Sequence, residues 1–112
     1  FVTQSPPASL KAEGQLVTLS CTFNTALNYY VLSWYRQNPD KQVQFILSKL
    51  SNGGEDNADF AKTRFSANLQ KGAKVTKLTI SGLQLSDSAV YFCALTIYDK
   101  LIFGGGTTLT VE

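Results

Sequence analysis

Covalent chemistry in this chain rests on its two cysteines, Cys21 and Cys93. They lie 72 positions apart, so they lack the Cys-x-x-Cys spacing of redox centres and zinc sites. Two cysteines in a small chain with strand-like patterning favour one disulfide in an oxidising, extracellular setting, because the same pair would stay reduced in the cytosol. Trp34 follows Cys21 by 13 positions. This Cys-Trp-Cys spacing predicts two β-sheets that are joined through a common core.

Groups that could support catalysis or bind a metal are few. The sequence has no histidine, so it cannot assemble a Ser-His or Cys-His nucleophilic pair and lacks the usual proton shuttle. Glu55, Asp56 and Asp59 are clustered, but they lack the glycine-spaced ligand pattern of a calcium loop. We therefore expect a solvated loop at these acids, no enzymatic activity, no metal site and no cofactor.

Length and charge narrow the class of protein further. The chain has 112 residues, of which 44% are hydrophobic and 16% are charged, which is typical of one folded domain spanning residues 1–112. Its net charge is +2 and its lysines are scattered, so nucleic-acid binding is not expected. No apolar run is long enough to span a membrane, and no basic, apolar leader precedes Phe1. We interpret the chain as a mature or trimmed ectodomain, with any membrane contact made by segments outside it.

The elements that must position these residues are short strands with period-two patterning, and no convincing helix is present. Val17, Leu19, Cys21 and Phe23 alternate with other residues, so they predict the core-facing side of one strand. Pro6 ends the first strand, because proline cannot donate to a sheet. About nine strands are expected, including an additional pair in mid-chain. The segments with strand patterning are residues 2–4, 16–23, 31–37, 43–47, 64–69, 77–81, 89–95 and 101–111.

Two stretches in the last third of the chain resemble a known family. Residues 78–95, which end in Asp-Ser-Ala-Val-Tyr-Phe-Cys-Ala-Leu, resemble the end of a receptor V segment, and residues 98–112, which contain Phe-Gly-Gly-Gly-Thr, resemble a joining segment. With these motifs the whole chain resembles a variable (V-set) domain of the immunoglobulin superfamily, closest to the T-cell receptor alpha/delta group. Asp-Lys-Leu-Ile-Phe-Gly is close to a delta joining sequence, which favours the delta type, whereas the short third loop suits an alpha chain. Phe-Gly-Gly-Gly-Thr is also common in antibody light chains.

The resemblance implies an all-β fold, a variable-type immunoglobulin sandwich of about nine antiparallel strands in two sheets with one inter-sheet disulfide. Trp34 would pack on that disulfide in the core. Tyr91, two residues before the second cysteine, would bond a backbone group at the tyrosine corner. Arg64 and Asp87 would form an ion pair across the floor of the sandwich. The roles implied for all four residues are structural.

A second group of residues lies on the outer side of the same strands. If Trp34 points inward, alternation turns Tyr35 and Gln37 outward, and a glycine-rich bulge after Phe103 aims that ring sideways. An outward apolar patch of this kind is unusual on a soluble monomer. The resemblance implies a pairing surface for a second variable domain, of the beta or gamma type, or for a second copy of this chain. Its predicted residues are Tyr35, Gln37, Val43, Phe45, Phe92 and Phe103.

Three loops, residues 25–31, 49–55 and 94–102, fall where the family recognises its ligands. Their tyrosines and amides are typical of antigen-binding surfaces, because rigid amphipathic rings lose few torsions on binding. Exposed rings at Tyr30 and Tyr98 are expected to contribute most, whereas Lys74 is expected on a distant turn. The partner expected at these loops is a protein or an MHC-like complex. The predicted antigen-binding residues are Asn28, Tyr29, Tyr30, Lys49, Asn52, Thr96, Ile97, Tyr98 and Asp99.

Two classes of function remain open. In the first, the chain is an antigen-recognition domain in the extracellular part of a plasma-membrane receptor. In the second, it is a non-rearranging V-set domain of an innate receptor, co-receptor or adhesion protein, which uses its sheet face for the ligand. An antibody light-chain-like domain is a further alternative. The joining-like strand favours the first class, because a non-rearranging domain has no need of a V-to-J seam.

Overall fold

The computed structural model describes all 112 residues. They form eleven strands and two 3-10 helices, Asp59–Ala61 and Leu85–Asp87, which are joined by turns and loops. Neither helix has the length or the apolar character that crossing a membrane requires. The strands are β1 (Val2–Ser5), β2 (Ala8–Lys11), β3 (Val17–Phe23), β4 (Val31–Gln37), β5 (Val43–Leu50), β6 (Glu55–Asn57), β7 (Phe65–Gln70), β8 (Val75–Ile80), β9 (Ala89–Ile97), β10 (Lys100–Phe103) and β11 (Thr107–Val111).

The strands form two sheets that face each other across one main core. One sheet has the order β1-β3-β8-β7, and the other has the order β2-β11-β9-β4-β5-β6, with β10 paired to β9. Along β3, Val17, Leu19, Cys21 and Phe23 are all buried while the residues between them are more exposed. This alternation confirms the core-facing side that the sequence predicts, and the all-β sandwich is confirmed with it.

The two sheets are joined covalently between Cys21 on β3 and Cys93 on β9. Both cysteines are fully buried, and Trp34 on β4 is fully buried in the same apolar cluster. The register of β4 places Trp34 opposite Cys93 and also opposite Leu47 on β5. The predicted inter-sheet disulfide is confirmed, and the tryptophan lies in the core around it.

The first strand departs from the prediction. β1 ends at Ser5 as expected, but the chain then crosses to the other sheet, where β2 pairs with β11 in parallel. The prolines allow this crossing because their carbonyl groups still accept hydrogen bonds: Thr107 Oγ1 donates to Pro6 O at 2.6 Å, and the Thr108 N–H donates to Pro7 O at 3.0 Å. The expectation that every strand is antiparallel is therefore wrong for β2. The strand number rises above nine because β2 and β6 form and the last strand divides in two.

Asp87 is buried at the floor of the sandwich, where it holds two arginines. Arg64 donates to its two carboxylate oxygens at 2.8 and 3.0 Å, and Arg36 Nη1 donates to Oδ1 at 3.1 Å. The Tyr91 hydroxyl donates to the Asp87 carbonyl at 2.7 Å. Burial alone would raise the pKa of Asp87, but the hydrogen bonds from Arg64, the Gln84 N–H and Arg36 bring it below its usual value. The resemblance implied Arg64 and Tyr91 at this floor, but not Arg36.

Gln4 on β1 fixes the glycine-rich bulge between β10 and β11. Its Nε2 donates to the Tyr91 carbonyl at 2.9 Å, and its Oε1 accepts from the Cys93 N–H at 3.2 Å and the Gly106 N–H at 2.9 Å. Gly106 has a φ of 93°, which glycine adopts without strain. A Cβ at Gly104 would lie 2.5 Å from Gln4 Oε1. The bulge therefore requires glycine at both positions.

Replacing Gly104 with alanine is expected to lower the free energy of unfolding by about 1–3 kcal/mol, because the new Cβ displaces Gln4 and leaves buried backbone groups unpaired. Gly105→Ala is the matched control: a Cβ there meets no atom within 4 Å, so stability should change by less than about 0.5 kcal/mol. Urea unfolding of the two variants measures the difference. Equal stability would mean that the amide of Gln4 moves aside at no cost.

Candidate recognition and pairing surfaces

Four aromatic rings form a continuous surface on the outer side of the larger sheet. Tyr35 and Phe45 have ring centroids 5.6 Å apart, Tyr35 and Phe103 are 5.8 Å apart, and Phe92 and Phe103 are 6.4 Å apart. The register explains the cluster, because Tyr35 on the central strand lies opposite both Phe45 and Phe92. We call these four rings the aromatic face.

The aromatic face is accessible to a partner. Phe103 is 50% exposed, and the other three rings are half-buried against one another. Val43, at the start of β5, is 64% exposed. Gln37 is half-buried, and its Nε2 donates to the Lys41 carbonyl at 3.3 Å. The six residues predicted for the pairing surface thus lie on one side of one sheet. Their four rings and Val43 would lose exposed apolar area if a second domain covered them.

The three predicted loops lie where β3 enters β4, β5 enters β6 and β9 enters β10. The last is a two-residue turn, Tyr98-Asp99, in which Tyr98 has a φ of 53° and is 85% exposed. Tyr29 in the first loop is 60% exposed. A cavity of about 510 Å³ lies between the first and third loops, lined by Asn28, Tyr29, Thr96 and Tyr98 among others. The structure therefore brings four of the predicted antigen-binding residues together.

Tyr30 is a correction to the sequence prediction. Its side chain is only 6% exposed, and its ring packs on Phe23 with centroids 5.2 Å apart, in a small core cluster with Leu32 and Leu95. Burial raises the pKa of its hydroxyl. Tyr30 is therefore not an exposed contact ring. Its large side chain instead fills the end of the core beneath the loops.

The remaining predicted loop residues differ in their exposure and in their contacts within the chain. Asn52 is exposed, and its Oδ1 accepts from the Gly54 N–H at 3.0 Å. Asp99 is exposed. Ile97 is half-buried against the cluster beneath the loops. Lys49 makes an ion pair with Glu55 across β5 and β6. Asn52 and Asp99 thus have their polar groups near solvent, whereas Ile97 and Lys49 also serve the fold.

The turn between β7 and β8 also lies at this end, which corrects the expectation for Lys74. Lys74 Nζ donates to Asn24 Oδ1 at 2.8 Å and to the Thr25 carbonyl at 3.1 Å in the first loop. Lys71 Nζ donates to the Ser51 carbonyl at 2.6 Å in the second loop. Antiparallel pairing of β8 with β3 brings this turn beside the end of β3, so the turn is not distant from the loops.

Ser51 links the first two loops to each other. Its N–H donates to the Tyr30 carbonyl at 3.0 Å, and its Oγ accepts from the Tyr30 N–H at 3.0 Å. Ser51 is buried, so these bonds are shielded from water. The three chain segments at this end are therefore tied together by polar contacts that sequence patterning did not reveal.

Two of the three clustered acids near the second loop form ion pairs with nearby lysines. Glu55 pairs with Lys49, and Asp59 pairs with Lys62 at 3.1 Å. No group of three or more histidine, cysteine, aspartate or glutamate side chains is arranged to hold a metal ion.

Comparisons with known proteins agree with this geometry. The family model of the immunoglobulin V-set domain matches residues 4–112. The human T cell receptor alpha chain MC.7.G5 is 42% identical over 113 residues, which cover 99% of this chain and 40% of that protein. Human T cell receptor alpha variable 38-1 is 45% identical over 93 residues, covering 83% and 78% of the two chains. The mouse T-cell receptor alpha chain V region 2B4 is 39% identical over 115 residues, covering 99% and 83%.

The chain spans about two fifths of the first of these relatives and most of the length of the two variable regions. Other relatives carry both designations, such as the human T cell receptor alpha variable 14/delta variable 4, at 38% identity. Fold, disulfide and sequence agree with the resemblance seen in the sequence. The chain therefore belongs to the immunoglobulin V-set family, as a variable domain of the T-cell receptor alpha/delta type.

Proposed function

We propose that residues 1–112 form one antigen-recognition domain in the extracellular part of a plasma-membrane T-cell receptor. The observation that carries this proposal is the aromatic face, which lies on the same sheet that ends in the first and third loops. A domain that only binds a ligand through its loops has no use for four clustered rings on its side. A domain that pairs through its side and binds through its end uses both surfaces.

The partner at the aromatic face is a second variable domain of a beta or gamma chain, and in its absence a second copy of this chain. Interfaces between proteins concentrate aromatic residues at their centre and place polar groups at the rim. Beside the rings of the aromatic face, Gln37 supplies a polar amide and Val43 adds exposed apolar area. Gln37 is suited to a reciprocal amide contact, because an amide both donates and accepts.

The ligand at the loops is an MHC or MHC-like complex or an unpresented protein antigen. Tyr98 and Tyr29 offer exposed rings at the mouth of the cavity between the first and third loops. Tyrosine gives a large contact area for few frozen torsions, which is why it is frequent in antigen-binding surfaces. Asn28, Asn52 and Asp99 supply adaptable polar contacts around these rings.

Pairing is tested by charged substitutions on the aromatic face. Phe103→Glu and Phe45→Glu are each expected to weaken association with a beta or gamma variable domain by at least about 2 kcal/mol, because a central ring is lost and a charge is buried. Leu16→Glu is the matched control, since Leu16 is 54% exposed and directly precedes β3, a strand of the opposite sheet. Sedimentation velocity of the mixed domains measures association. Pairing that survives both phenylalanine substitutions would place the interface elsewhere.

A further inference from the structure

Asn52 is the one asparagine of the chain that a glycine follows. It lies in the turn that joins β5 to β6, and both Asn52 and Gly53 are exposed. Gly53 has a φ of 98°, and a Cβ built on it would meet no atom within 4 Å. Neither a side chain of Gly53 nor a neighbouring residue therefore hinders contact between its peptide nitrogen and the Asn52 amide.

The side-chain amide of Asn52 is held close to that nitrogen. Its Oδ1 accepts from the Gly54 N–H at 3.0 Å, which folds the side chain back along the following peptide unit. A hydrogen bond to a carbonyl oxygen also draws electron density away from the carbon. Asn52 Cγ is thus both positioned beside the Gly53 nitrogen and made more electrophilic.

One contact opposes a reaction between these two atoms. The Gly53 N–H donates to the Leu50 carbonyl at 2.9 Å, and the nitrogen must lose its proton before it can attack. The turn lies at the edge of the larger sheet, where the three-residue strand β6 pairs with β5. Short edge elements with exposed backbone hydrogen bonds open locally at low free energy. Brief opening of this bond therefore frees the nitrogen while the rest of the domain stays folded.

From this arrangement we propose that Asn52 is a site of spontaneous covalent modification, deamidation to aspartate and isoaspartate. The Gly53 nitrogen gives its proton to hydroxide and attacks Asn52 Cγ. A bond forms between these atoms, the Cγ–Nδ2 bond breaks, and ammonia leaves with a proton from water, which regenerates the hydroxide. Water then opens the resulting succinimide ring. Cleavage at Cγ gives aspartate, and cleavage at the main-chain carbonyl gives isoaspartate, in which the backbone runs through the side chain.

Both products change the second loop. Each replaces a neutral amide with a carboxylate, which is ionised at neutral pH and lowers the net charge of +2 by one. Isoaspartate also adds a carbon atom to the backbone before Gly53. The bonds from the Gly53 N–H to the Leu50 carbonyl and from the Leu50 N–H to the Gly54 carbonyl then lose their register. Under the proposed function this alters a recognition loop, but the reaction itself does not depend on that function.

The test is incubation of the folded 112-residue chain at mildly alkaline pH, followed by digestion in acid and mass spectrometry of the chromatographically separated peptides. Asn52 is expected to convert at least about tenfold faster than Asn28, which is also exposed but is followed by the bulky Tyr29. The rate should rise with pH, because the attacking nitrogen must lose its proton. Asn52→Gln should abolish the modification at this position, since the longer side chain has to close a larger ring.

The control for the effect of the fold is the same chain unfolded in guanidinium chloride, in which the Gly53 nitrogen is released from Leu50. Conversion of Asn52 in the folded chain is expected to be within about tenfold of the unfolded rate. An Asn52 that stays intact in the folded chain while the unfolded chain converts would overturn the proposal, because the turn would then protect it. Equal rates at Asn52 and Asn28 would also overturn it. Neither result affects the proposed function, since the assay contains no partner chain and no ligand.

Discussion

A chain in which Cys21 and Cys93 are both replaced by alanine is expected to lose about 2–5 kcal/mol of unfolding free energy. The disulfide closes a loop with a sequence separation of 72, for which the chain-entropy model gives about 4 kcal/mol. Both sulfurs are fully buried beside Trp34, so their removal also leaves unfilled space in the core. Urea unfolding followed by tryptophan fluorescence measures the loss, since Trp34 is the chain's one tryptophan.

The control for this prediction is the wild-type chain with its disulfide reduced. Reduction should lower the unfolding midpoint in the same direction as the double substitution, because both remove the link between β3 and β9. A reduced chain as stable as the oxidised one would contradict the prediction. It would mean that packing between the sheets alone sets the stability.

Asp87→Asn is expected to lower the free energy of unfolding by about 3–5 kcal/mol, the usual result of removing one partner from a buried ion pair. The Asp87 side chain is 1% exposed and its partner Arg36 is 10% exposed, so neutralising the acid leaves positive charge with little access to water. Arg64, at 24% exposed, loses less. Asp56→Asn on the exposed strand β6 is the control and should change stability by less than about 0.5 kcal/mol.

The pH dependence of stability gives an independent measure of the same interaction. Because folding lowers the pKa of Asp87, the stabilisation is fully present above the ordinary carboxyl pKa of about 4 and is lost as the pH falls from there toward the folded pKa. Asp87→Asn should therefore flatten the loss of stability in this acid range. An unchanged acid profile in the variant would assign the acid sensitivity to other carboxyl groups.

The alternation of side chains along the strands predicted much of this structure, because the strands that line the core keep a period-two pattern. Tyr35 and Phe92 could be assigned to the outer face from Trp34 and Cys93 alone, since successive side chains point to opposite sides. The same rule places Arg36 on the inner side, with Trp34. A buried arginine requires a carboxylate partner, so the sequence did contain a signal for its contact with Asp87.

Other features depend on contacts that period-two patterning does not encode. Tyr30 lies in a loop by sequence, yet tertiary packing on Phe23 buries its ring. The parallel pairing of β2 depends on carbonyl groups of Pro6 and Pro7, whereas proline is usually interpreted through its missing donor. Gln4 bonds groups more than 80 positions away, with a separation of 87 to Tyr91. These interactions arise only when the two sheets are assembled.

The measurement that tests antigen recognition most directly is a binding titration of the paired receptor with its ligand, comparing Tyr98→Ala with Glu13→Ala. Tyr98 is 85% exposed at the tip of the third loop, whereas the Glu13 N–H bonds the Glu112 carbonyl at the opposite end of the sandwich. The account predicts that Tyr98→Ala costs more than about 1 kcal/mol of binding free energy and that Glu13→Ala costs little. Unchanged binding in Tyr98→Ala would contradict it and favour a V-set receptor that binds through its sheet.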